Sequence, residues 1–228
     1  MFQLVNQPML HPINVLILGA SGFGQVIADI LLASARQETA AVRPIGFLDD
    51  NPALQRRLIL GLPVLGTIAQ VASVPHDAVI VAIGCNHSRQ RLSQHLSARG
   101  EELAVAIHPT AAIGADVMIG TGTIIGAGAV VNSGARIGWG VILNSGCLVD
   151  HHSSIGHYVH VGPGAYLGGQ VQVEAGALIG MGAVITPQCR VGAWSRLEAG
   201  VVVSQSVPPY VVVSDVPTPF IFSNALTR

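Results

Sequence analysis

From Ile107 onward the hydrophobic positions recur every six residues. Ile107, Ile113, Ile119, Ile125, Val131, Ile137, Leu143, Val149, Ile155, Val161, Leu167, Val173, Ile179, Ile185, Val191, Leu197 and Val203 form an unbroken series of Ile, Leu and Val. Four places after each stands a small or short β-branched residue, as at Ala129, Ala135, Cys147, Ser153 and Val207. An α-helix repeats about every 3.6 residues and a two-sided strand every second one, so neither uses a period of six. A stack of short parallel strands does. The aliphatic residue points inward, the next positions turn a corner, and the small residue fits beneath it. The pattern predicts a parallel β-helix of hexapeptide repeats over residues 107–208, with five to six coils.

The sequence before it has another rhythm. Asn14 to Leu18 is a wholly apolar run suited to a buried parallel strand, followed by Gly19-Ala-Ser-Gly-Phe-Gly24 and a helical stretch over Gln25 to Ala35. Strands are predicted at Pro44 to Leu48, Ala78 to Ile83 and Leu103 to Ile107, with a helix ending near Arg99. Such alternation predicts a small Rossmann-like α/β domain with a parallel sheet over residues 1–106. Residues 209–228 form a tail.

Composition narrows the functional classes. Mean hydropathy is +0.56 and Val117 to Ala135 carries no charge until Arg136, which suggests a membrane span. Glycines at 120, 122, 126, 128 and 134 break that stretch, and its phase runs on into charged sequence, so membrane insertion is excluded. A net charge of −1 and a pI near 6.7 give no general attraction to nucleic acid. All eleven basic residues are Arg, which removes any lysine-dependent chemistry. Three cysteines form no disulfide framework, and Met1 to Pro12 lacks the marks of a secretory signal, so a cytoplasmic setting is expected.

Two stretches carry candidate chemistry. The spacing of Gly19, Gly22 and Gly24 differs from G-x-G-x-x-G, but glycines before a helix N-terminus admit a phosphate in the same way. Asp49 or Asp50, ending the second strand, is placed to accept from a ribose or base. A short-chain reductase fails for want of lysine and of length. The second stretch, Val149 to His160, holds four of the nine histidines. Residues eighteen apart stack if three hexapeptides make one triangular coil, which puts Gly169 over His151 and leaves a gap and a backbone N–H above the imidazole. Asn132 falls under Asp150 in the same way.

Asn144-Ser-Gly-Cys-Leu-Val-Asp-His151-His-Ser-Ser-Ile-Gly, with His160-Val-Gly-Pro-Gly-Ala-Tyr-Leu-Gly-Gly169, resembles the bacterial sugar acyltransferases that include sialic acid O-acetyltransferase and the N-acetyltransferases of nucleotide-linked 4-amino sugars of the bacillosamine kind. Gly19 to Gly24, Phe47-Leu-Asp-Asp50 and Ala82-Ile-Gly84-Cys-Asn86 match in the same order. The resemblance implies a left-handed β-helix, a homotrimer with active sites between subunits, acetyl-CoA as co-substrate and a nucleotide-sugar held by the α/β domain. It assigns the general base to His151, with Asp150 as the neighbouring carboxylate. It gives the acetyl-CoA contact to His160 and an oxyanion-binding N–H to Gly169. Ser21, Gly22, Phe23, Asp49, Asp50, Gly84 and Asn86 correspond to nucleotide-sugar contacts.

Two positions depart from that family. The acidic residue that follows the base is here His152, and the family's Gly-x-Pro-Ala-Lys becomes Asp215-Val-Pro-Thr-Pro219, leaving Arg190 and Arg196 as the basic residues of the late coils for CoA. The residues leave open an amine or a hydroxyl acceptor and a UDP, GDP or CMP carrier. They also leave open an interface-metal hydratase of the hexapeptide carbonic anhydrase kind and a silent scaffold. No metal is expected.

Overall fold

A computed structural model describes residues 2–3, 12–37 and 42–214. The expected Asp215-to-Pro219 departure and the rest of the tail lie outside the described residues.

The chain begins with β1 (Phe2–Gln3), which pairs antiparallel with the later strand Met118–Gly120. Next come β2 (Ile13–Leu18), α1 (Gly22–Ala35), β3 (Val42–Leu48), the hairpin β4 (Leu58–Ile59) and β5 (Leu62–Gly66), β6 (Ala78–Val81) and α2 (Asn86–Ala98). The sheet order is β4-β5-β3-β2-β6, and every pair in it is parallel except β4 with β5. Val15 and Ile17 turn one way, into a cluster with Ile27, Ile30 and Leu31 of α1. Leu16 and Leu18 turn the other way, toward Leu96 of α2. A strand buried on both faces reads as a continuous apolar run, which is why alternation is missing from β2.

α1 starts three residues before the expected Gln25 because Gly24 lets the helix lie against the strand end. A Cβ there would meet the Gly19 carbonyl oxygen at 2.1 Å. The β4–β5 hairpin was not legible, since its two short strands offer no alternation. Of the strand expected at Leu103 to Ile107, Leu103 makes a parallel bridge to Val79 of β6, whereas Ala106–Ile107 pairs with Ile124–Ile125 and is the first rung of the solenoid.

Eighteen two- or three-residue strands from Ala106–Ile107 to Val212–Val213 then wind over three faces holding seven, six and five of them. Successive rungs pair in parallel with partners eighteen residues apart, as Ile142 with His160 and Leu148 with Tyr166. The aliphatic column from Ile119 to Val203 and the small residues between form one buried core. Where the small residue is polar, its hydroxyl is used. Ser153 Oγ donates to the Gly168 carbonyl at 3.1 Å and accepts from the Val171 N–H at 3.1 Å, and Thr123 bonds similarly to Gly138 and Val141. A buried hydroxyl without such partners would be costly.

The register slips once. Val207, expected at a small position, bridges Val191 sixteen residues earlier and so occupies an aliphatic rung two residues ahead of the repeat.

The α/β part docks on the seven-stranded face. Ala106, Ile124 and Ile142 project from that face into the same buried cluster as α1. Arg89, fully buried on α2, completes the junction. Its Nε donates to the Gly140 carbonyl at 2.8 Å, Nη1 to those of Ile83 and Gly84, and Nη2 to the Tyr158 carbonyl at 2.8 Å and to Asn86 Oδ1 at 2.9 Å. Burial pulls its guanidinium down to about 10, which leaves it charged at neutral pH.

Candidate functional site

The solenoid places His151 at the corner between the five- and six-stranded faces, the vertex opposite the docked α/β domain. The eighteen-residue stacking holds: a Cβ built on Gly169 would lie 2.6 Å from His151 Nε2 and 2.7 Å from Cε1. The expected gap above the ring is therefore filled by the ring itself, which leans into the room that Gly169 vacates. Among the described residues the Gly169 N–H donates to no acceptor, whereas Gly168 N–H bonds to Ile185 and Gln170 N–H to His151. Corner amides of this kind fall outside the rung-to-rung ladder, so this donor stays available beside the imidazole.

Asp150 does not engage the imidazole. Its Oδ1 accepts from Asn132 Nδ2 at 2.7 Å and from the His151 backbone N–H at 2.7 Å, and these bonds hold its carboxyl below the ordinary carboxylate range. It pins the corner backbone. His151 Nδ1 instead lies 3.2 Å from Nδ1 of His152, with the two rings at 79°.

The other candidate residues gather on the docking face. Gly22 and Gly84 have open space where a Cβ would be, at the carboxyl ends of the sheet strands. Ser21 is the N-cap of α1 and is exposed. Asp49 accepts from the N–H groups of Ala20 at 2.7 Å and Asn51 at 2.8 Å, which clamps the glycine loop to the end of β3, and Asp50 accepts from Ile68. Asn86 is buried, donating to the carbonyls of Gly176 and Ala177. A cavity of about 480 Å³ runs beside Gly22 between α1 and the solenoid, with Gln25, Asp29, His108 and Ser145 in its wall.

His160 belongs to this second group. Its ring is 6.2 Å from that of Phe23, Nε2 lies 3.4 Å from Asn144 Nδ2, and a backbone hydrogen bond ties it to Gly84. Burial pushes its imidazole down to about 4, so it is neutral at physiological pH.

Arg190 is paired with Glu174, and Arg196 with Glu198 at 2.8 Å, on different faces. Among the described residues no three His, Cys, Asp or Glu side chains converge on one metal position. Nor is any described helix long and apolar enough to cross a membrane.

Within one chain, then, the His151 group and the glycine-loop group stand apart on the prism. Sequence reasoning missed Arg89, because α2 is mostly polar and nothing marks one of its two arginines as buried.

A Rossmann-like domain docked on a prism of hexapeptide coils, with a histidine at the free vertex, defines a transferase of the hexapeptide-repeat class. The family model of the PglD N-terminal domain matches residues 14–96, and that of the bacterial transferase hexapeptide (six repeats) matches residues 152–187. The acetyltransferase domain of PglB from Neisseria gonorrhoeae, solved with acetyl coenzyme A, is 31% identical with a TM-score of 0.82. That match covers 89% of this chain and 96% of that one. PerB from Caulobacter crescentus, solved with CoA and GDP-perosamine, is 31% identical with a TM-score of 0.80, over 91% and 95% of the two chains. UDP-N-acetylbacillosamine N-acetyltransferase from Bacillus subtilis is 35% identical over 114 residues, 49% of this chain, and the chain spans about half (50%) of that enzyme's length. The chain belongs to the bacterial sugar acyltransferase family in which a Rossmann-like domain precedes a left-handed β-helix.

Proposed function

We propose that the protein transfers an acetyl group from acetyl-CoA to the amine of a nucleotide-linked amino sugar of the 4-amino-4,6-dideoxy type. The relatives solved with acetyl coenzyme A and with CoA plus GDP-perosamine support both co-substrates. The observation that carries the reading is the stacking of His151 under Gly169, which sets a ring nitrogen next to an unused backbone donor.

At neutral pH the sugar amine is held mostly as ammonium, so nucleophilic attack needs a base that is itself neutral there, and imidazole meets that demand. The ammonium first gives one proton to solvent, and His151 Nε2 takes a second from the amine nitrogen as the C–N bond forms at the thioester carbon. Negative charge grows on the carbonyl oxygen, where the Gly169 N–H supplies a fixed donor worth roughly 3 kcal/mol. When the C–S bond breaks, the imidazolium returns the proton to the leaving thiolate of CoA. No covalent enzyme intermediate is formed.

The site is completed by a second copy. The nucleotide loop flanks the docking face, His151 stands at the opposite vertex, and the face next to His151 exposes an apolar column of Val130, Leu148, Tyr166 and Val184. Tyr166 is 51% and Val184 37% exposed. One edge of that face is the His151 corner and the other carries Ala127 and Ser145 of the cavity beside Gly22. Rotation about a three-fold axis along this face brings the base of one subunit to the nucleotide loop of the next, in a closed trimer. The free thiols of Cys85, Cys147 and Cys189 suit a reducing cytoplasm.

The test is subunit complementation. His151→Ala should lower kcat by about a thousandfold while leaving the trimer and acetyl-CoA binding intact. Mixed with chains disabled at Asp50, it should regain activity in hybrid trimers. Wild-type-like turnover by His151→Ala refutes the assignment of the base, and hybrids as inactive as their parents refute the shared site.

A further inference from the structure

We propose that His152 is the positioning residue of the base, fixing the tautomer of His151 through a direct ring-to-ring hydrogen bond. The inference rests on the transferase reading above for its kinetic consequence, but not for its structural content.

His151 can take a proton on Nε2 only if Nδ1 carries the hydrogen. A histidine side chain free in water prefers the hydrogen on Nε2, so something must hold it on Nδ1. The Asp150 carboxylate does not do so, because its hydrogen bonds among the described residues go to Asn132 and to the corner backbone. The group within reach is Nδ1 of His152, at 3.2 Å. Two neutral imidazoles meeting Nδ1 to Nδ1 need one donor and one acceptor. With Nε2 of His151 turned toward Gly169, His151 donates, and His152 accepts and keeps its own hydrogen on Nε2.

The chain holds His152 in that posture from two sides. Its backbone is left-handed, with φ of 56°, and its N–H donates to the Ser133 carbonyl at 3.0 Å. Its ring lies over Gly134, where a Cβ would come within 3.0 Å of Cδ2. The two rings thus diverge, His151 against the rung above and His152 against the rung below, and touch only where they leave the corner.

The experiment uses the whole chain labelled with ¹⁵N-histidine, observed at pH 8, alongside kinetics. His152→Asn puts an amide oxygen in the place of Nδ1, and Asn tolerates a left-handed backbone. His152→Leu removes the acceptor. Ring ¹⁵N shifts should show hydrogen on Nδ1 of His151 in the wild type and in His152→Asn, and on Nε2 in His152→Leu. kcat should fall about tenfold or more in His152→Leu, with KM for acetyl-CoA unchanged, and recover in His152→Asn. Hydrogen on Nε2 of His151 in the wild type, or an unaltered tautomer in His152→Leu, overturns the proposal. If no nucleotide amino sugar is acetylated by any of the three proteins, the transferase reading fails while the tautomer result still decides the role of His152.

Discussion

His151 and Gly169 are separated by eighteen residues of chain and by less than the width of a methyl group in space, since a Cβ on Gly169 would come 2.6 Å from the imidazole nitrogen. The ring occupies the volume that the glycine lacks. Gly169 does not have a positive φ, so its backbone accepts alanine without strain. Gly169→Ala is thus expected to turn His151 out of place, lowering kcat by about a hundredfold, with the midpoint of thermal unfolding nearly unchanged. Unimpaired turnover in that variant would show that the ring works from another position.

Arg89 should prove the strongest single determinant of the junction between the two parts of the chain. Removing it takes the side-chain donor from the buried bonds to the Gly140 and Tyr158 carbonyls and from the part-buried ones to Ile83 and Gly84. Arg89→Met should cost about 3–5 kcal/mol in urea unfolding. Arg89→Lys should rescue little, because one ammonium cannot span acceptors that lie around a planar fork.

Acidification should loosen the same junction through His160. In the unfolded chain its imidazole has the ordinary value of 6.5, and in the fold it sits at about 4. Between those limits the unfolded state binds a proton that the folded state refuses, so stability is full above 6.5 and falls as pH drops toward 4. The loss reaches up to about 3 kcal/mol. Unfolding free energies at pH 7 and pH 4.5 should differ less in His160→Gln than in the wild type. An equal difference would place the pH dependence elsewhere.

The apolar column beside His151 should govern assembly. Tyr166→Glu introduces a charge at the centre of the proposed contact and should yield monomers by sedimentation, with acetyl transfer lost because no second copy completes the site. A fully active monomer would rule out the shared site.

The period of six determined the solenoid, its inward column and its eighteen-residue register before any coordinates. Each rung binds only to its neighbours, so local spacing encodes the whole stack, and His151 could be set under Gly169 by counting. Counting failed where the repeat itself changed, at the two-residue slip that carries Val207 into a rung. The α/β strands were likewise legible from their apolar runs, except for the short β4–β5 hairpin and the run from Leu103 to Ile107, which is shared between the α/β sheet and the first rung. Only the tertiary structure decided which face the α/β domain covers, that Arg89 is buried and His160 neutral beneath it, and that Asp150 bonds the backbone while His152 meets His151. Those outcomes depend on contacts between segments distant in sequence, as in the bonds from Asn86 to Gly176 and from Arg89 to Tyr158, and on side-chain rotamers that a repeat pattern does not specify.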